Sequence, residues 1–137
     1  MLRTVDAAQA LADLTEISSQ IVHVAIVDGD GAVSASTIED GTRAARFVEA
    51  AAKLLEEVRA ARDSRGLPAL AQLEAATPEG SVFVVLSPGG DGYIAAVTRP
   101  EPTVGLVFYD LKHALKSVNV AAKPARAPRK KKADASA

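Results

Sequence analysis

Residues 42–65 read TRAARFVEAAAKLLEEVRAARDSR, a stretch with neither glycine nor proline, closed by Gly66 and Pro68. At 1.5 Å per residue it predicts a helix of about 36 Å. Gly66 supplies a C-terminal stop and Pro68 prevents the helix from resuming. At 100° per residue Ala44, Phe47, Val48, Ala51, Leu54, Leu55, Val58 and Ala61 form one stripe, whereas Glu49, Lys53, Glu56 and Arg59 fall outside it. One side is therefore expected to be buried and the other wet. Burying the five large apolar groups is worth on the order of 10 kcal/mol as an upper bound. The i,i+4 pairs Glu49/Lys53 and Arg59/Asp63 add only about 0.2 to 0.5 kcal/mol each. Ala45 and Ala52 lie one heptad apart at the border of the stripe. Alanine there is either a good helix former or a small contact that lets a second helix approach closely.

Upstream, Ser36-Thr37-Ile38-Glu39 has the spacing of a capping box, and Asp40 is an equally good N-cap. Before it, the β-branched run Ile21–Val27 is closed by Asp28-Gly29-Asp30-Gly31 and followed by Ala32–Ser36, which predicts a β-hairpin. Ahead of the hairpin, Ala7, Leu11, Leu14, Ile17 and Ile21 recur at spacings of three and four, predicting a helix over about Asp6 to Ser19 capped by Thr4 or Asp6.

Downstream, Leu70–Ala76 reads as a strand or as a helix. Thr77-Pro78-Glu79-Gly80 is a turn, Ser81–Leu86 a strand, Ser87–Gly92 a loop and Tyr93–Thr98 another strand. Val104, Val107, Phe108, Leu111, Leu115 and Val118 give a last helical stripe over Thr103 to Ser117, with Thr103 as N-cap. The expected organisation is one domain over residues 1–120 and a tail over residues 121–137 whose Ala/Lys/Pro/Arg composition cannot build a core.

The chain carries 16 Lys and Arg, 17 Asp and Glu and no cysteine. Thiolate catalysis, Fe–S clusters and Cys-ligated zinc are excluded, and a reducing cytoplasm is the expected location. The apolar run Val82 to Leu86 is too short to span a bilayer, and the N-terminus lacks the pattern of a signal peptide. Six of the basic residues, Lys123, Arg126, Arg129, Lys130, Lys131 and Lys132, stand in the tail against Asp134 alone, a charge of +5. That leaves ten basic and sixteen acidic residues in the body, a charge of −6. Such a body does not suit nucleic acid. The run Arg129, Lys130, Lys131 and Lys132 can reach DNA, an acidic membrane or an acidic partner, or can serve as a solubilising tail. Without interleaved aromatics it is not expected to stack on bases.

Catalysis needs convergent polar groups, and the sequence offers little for it. His113 falls opposite the last apolar stripe, His23 sits inside a strand, and no metal-binding His spacing occurs. Asp28-Gly29-Asp30-Gly31 lacks the spaced third ligand and terminal Glu of a calcium loop. Pro88-Gly89-Gly90-Asp91-Gly92 runs from strand to strand with no following Lys-Ser/Thr, unlike a phosphate loop. The reading is an interaction domain rather than an enzyme, with no catalytic residue, cofactor or metal expected. A small-ligand sensor would need a polar pocket that the sequence does not display.

The order helix, hairpin, long helix, meander, helix now has its landmarks: Val24-Ala25-Ile26-Val27-Asp28-Gly29-Asp30-Gly31, Gly90-Asp91-Gly92-Tyr93-Ile94-Ala95-Ala96-Val97, and the segment Thr103–Leu111. Together they resemble the Roadblock family, which includes the dynein light chain roadblock and the bacterial MglB-type regulators of Ras-like GTPases. The resemblance covers about residues 5–119 and says nothing of the tail. It implies an α/β fold: a five-stranded antiparallel sheet with the long helix on one face and the two terminal helices on the other. It also implies a homodimer joined through the third strand and the long helices, which makes Ala45, Ala52, Glu56, Leu70, Gln72 and Glu74 candidate interface residues. A small Ras-like GTPase is the implied partner, bound as regulator or platform without nucleotide on this chain. Arg43, Arg46 and Arg99 are arginines that could act in trans on GTP. The resemblance favours reorientation of the GTPase's own residues, so none of the three is assigned that role.

Overall fold

The structure, a computed structural model, describes residues 6–88 and 92–122, the last four of these as backbone alone. Its elements run α1 (Ala7–Ile17), β1 (Ile21–Val27), β2 (Val33–Ser36), α2 (Gly41–Asp63), β3 (Gln72–Thr77), β4 (Gly80–Leu86), β5 (Tyr93–Thr98) and α3 (Val104–Ala122). The strands form one five-stranded sheet in the order β2-β1-β5-β4-β3, with every pairing antiparallel.

Alternation along the strands explains the three layers. In β1, Val24 and Ile26 face one side while Ala25 and Val27 face the other, and β4 and β5 divide in the same way. Phe83, Val85 and Ile94 join Leu11 and Leu14 of α1 and Val107, Leu111 and Leu115 of α3 in one core. Val84, Leu86, Tyr93 and Ala95 join Val48, Ala51 and Leu55 of α2 in the other. Central strands buried on both faces read as near-continuous apolar runs, and these do. The long helix thus covers one face and the terminal helices the other, as the resemblance implied.

Several boundaries differ from the sequence reading. Asp40 is the N-cap of α2, accepting from the backbone N–H groups of Thr42 at 2.9 Å and Arg43 at 3.2 Å. Ser36 Oγ instead accepts from Ile38 N, so the capping box does not form. Of the α2 stripe, Ala44, Val48, Ala51 and Leu55 are buried, Phe47, Leu54 and Val58 are half-buried and Ala61 is exposed, which lowers the helix's share of the burial energy. Asp6 caps α1 through Gln9 N at 2.8 Å. Ile17, the last residue of α1, is 66% exposed, because Ser18 turns the chain toward β1 before that face meets the sheet. Of residues 70–76, Gln72 onward form a strand that runs on through Thr77, which the sequence reading places in the turn, while Leu70 and Ala71 lie in the connection before it. Thr103 begins α3 through its carbonyl, which accepts from Leu106 and Val107. Val104, counted in the last stripe, is exposed on the first turn of α3. That helix continues through Ala122, beyond Ser117 and into the first residues of the segment read as tail.

Two glycines hold the sheet ends together. Gly80 and Gly92 have φ of 146° and 153°, and a Cβ on either would collide with a backbone carbonyl oxygen, that of Thr98 or of Val27. Two threonines do similar work with their hydroxyls. Thr37 Oγ1 accepts from Val24 N at 3.0 Å, continuing the β1–β2 ladder past its last residue pair. Thr98, fully buried, accepts from Ser81 N across the β4–β5 ladder.

Candidate protein-docking surfaces

An edge strand leaves one row of backbone N–H and C=O groups without a partner strand. β3 is such an edge: among the described residues it pairs only with β4, over the six positions Gln72 to Thr77. The other edge, β2, is four residues long, so β3 is the longer free template.

The six candidate interface residues do not share one face. Ala45, Ala52 and Glu56 are all exposed on the solvent side of α2. Leu70 is half-buried and packs against the core beneath α2. Gln72 and Glu74 stand opposite Val85 and Phe83, whose side chains belong to the α1/α3 core. Their own side chains therefore lie on the sheet face away from α2. On β3 it is Leu73, packed against the α2-side core, and Ala75 that share the face of the helix. Any contact joining all six must combine the helix surface with the strand's edge.

The structure adds a surface absent from the sequence reading. Leu106 is 50% and Tyr109 67% exposed on α3, off the buried Val107–Leu111 line, and the Tyr109 ring stacks on His113 with centroids 6.4 Å apart and planes 11° apart. The signal was present as apolar residues on the wet side of an amphipathic helix. Of the arginines considered, Arg43 and Arg46 are exposed on the first turns of α2. Arg99, also exposed, is tied to the α1–β1 connection by its Nε, which donates to Ser19 O at 3.0 Å. The basic run Arg129, Lys130, Lys131 and Lys132 lies outside the described residues.

Among the described residues no group of three His, Asp or Glu side chains comes together in a way that could hold a metal ion. His113 is exposed and His23 half-buried. Asp28 Oδ1 accepts from the N–H groups of Asp30 and Ala32, so its carboxylate closes the hairpin turn itself. No helix among the described residues is long and apolar enough to cross a membrane.

No protein-family model matches the sequence, and no curated protein does. Solved structures do match. A Roadblock/LC7 domain from Streptomyces avermitilis superposes with a TM-score of 0.74 at 18% identity, covering 88% of this chain and 98% of that one. The gliding protein MglB of Thermus thermophilus gives 0.71 at 14% identity, covering 86% and 89%. MglB of Myxococcus xanthus gives 0.66 at 13% identity, covering 83% and 89%. The chain has the Roadblock fold, with its elements in the order α-β-β-α-β-β-β-α.

Proposed function

We propose that two copies of this chain pair and together bind a small Ras-like GTPase, acting as regulator or scaffold and performing no chemistry of their own. The observation that carries this reading is the likeness to the MglB proteins over most of their length. The family resemblance in the sequence supplies the partner class. Two features of the chain support the pairing: the small exposed Ala45 and Ala52 on α2, and the open edge of β3. A symmetric dimer uses the same patch twice, so a free antiparallel edge and a small-residue helix face are suited to it. Bound to a GTPase, such a dimer acts by favouring one conformation of the switch loops, and stimulating GTP hydrolysis is one form of that action.

Co-purification with candidate small GTPases loaded with GDP or a GTP analogue, followed by mass measurement, tests partner, nucleotide preference and stoichiometry together. The expected result is a complex containing two copies of this chain and preferring one nucleotide state. Hydrolysis at the same rate with and without this protein would remove the activator role and leave the scaffold. No complex in either nucleotide state would sink the proposal.

The charge asymmetry favours a second reading, in which the pair is an adaptor whose basic tail binds DNA, a membrane or an acidic protein. Binding of that kind weakens steeply with salt and is lost when the tail is removed.

A further inference from the structure

The end of α2, the connection into β3 and the end of β4 enclose a cleft of about 660 Å³, a volume in the range that holds small organic ligands. Leu70, Leu86 and Pro88 give it apolar walls, and Arg59, Arg62 and Asp63 stand on the helix side. Arg62 is held in place, its Nε and Nη2 both donating to Pro68 O at 3.1 and 2.8 Å. Arg59, one turn earlier on the same side of the helix, forms no side-chain hydrogen bond or ion pair among the described residues, not even with Asp63 four residues on. Beside this site, β5 places Tyr93, whose buried hydroxyl has no partner among the described residues and whose phenol feels the charge of Arg59. A guanidinium with no hydrogen-bond or ion-pair partner among the described residues, beside an apolar wall, suits a ligand with an anionic head and an apolar body. Asp63 disfavours a second negative charge on that head.

We propose that this cleft binds a small amphipathic monocarboxylate, with Arg59 and Arg62 holding the carboxylate and the Leu70–Leu86 wall taking the apolar body. Neither self-association nor a GTPase is needed for it. Octanoate titrated into the full chain by calorimetry tests the idea, with inorganic phosphate and octanol as probes of head and body alone. Octanoate is expected to bind saturably, with one site per chain and more tightly than either control. Arg59→Gln, at an exposed residue with no described partner to lose, is expected to weaken it about tenfold while leaving the thermal midpoint unchanged. Ala69→Trp, which fills the apolar end of the cleft and removes no charge, is expected to abolish binding. Octanoate binding that is absent, that survives both substitutions, or that is matched by phosphate overturns the site. Binding that vanishes in an Ala52→Arg monomer overturns it as a property of the single chain.

Discussion

At the scale of single residues, Gly92 and Tyr93 show how neighbours in one motif carry unrelated burdens. In the sequence Gly92 closes a glycine-rich loop, and glycine there is explained by turn chemistry. The structure gives a stricter reason, since at its φ of 153° a Cβ would collide with the Val27 carbonyl oxygen. Gly92→Ala is therefore expected to destabilise the protein by at least about 2 kcal/mol, read as a shift of the urea midpoint. A change within error would mean that the β1–β5 contact relaxes freely. Tyr93 reads in sequence as one more large strand residue, and that its hydroxyl has no partner among the described residues could not be foreseen, because satisfaction depends on atoms from other elements. Tyr93→Phe removes that buried hydroxyl and is expected to raise stability by about 1 kcal/mol. Burial lifts the Tyr93 phenol above its ordinary 10.0, partly offset by Arg59. The folded state thus holds this proton more tightly than the unfolded chain. Its contribution is fully present below the unfolded pKa and is lost as pH rises through the raised folded value. Wild type should lose stability faster than Tyr93→Phe on titration from about pH 9 to about pH 12, followed by thermal midpoint.

At the scale of elements, legibility followed the number of neighbours each element has. β1, β4 and β5 are covered on both faces, so their apolar runs announced them, and the outer side of α2 announced itself by its charges. β3 has one strand neighbour, and only Leu73 and Ala75 of its central positions turn toward the α2 side, so half of its pattern is polar and fits a helix as well. Ile17 misled for the opposite reason: its spacing is correct, but the helix ends there. The cleft was illegible because one wall comes from the end of α2 and its connection into β3 and the other from the end of β4, and Arg59 and Arg62 pass for ordinary wet positions until the two meet. The outer face of α2 is the element on which the proposed pairing turns. Ala52→Arg places a long cation at an exposed, small position without touching either core. It is expected to convert dimers to monomers by light scattering, with the thermal midpoint of the monomer little changed. An unaltered mass would return Ala45 and Ala52 to the role of helix formers.

At the scale of the whole molecule, the sequence divides an acidic body from a basic tail at residue 121. α3 runs through Ala122, so a deletion from residue 121 would trim the helix, whereas one over residues 123–137 removes all six clustered cations and leaves the helix whole. Both described cores are built from residues no later than Val118, outside the deleted segment. The truncated chain is expected to melt within about 0.5 kcal/mol of the full one, the ordinary range for changes away from the core. Its net charge moves from −1 to −6, so any attraction to polyanions should reverse sign. Heparin affinity chromatography at low salt should retain the full chain and release the truncated one, with retention of the full chain falling as salt is raised. GTPase binding is expected to survive the same deletion, because the surfaces proposed for pairing lie on α2 and β3. Loss of both together would place the tail inside the GTPase contact and merge the adaptor reading with the regulator one.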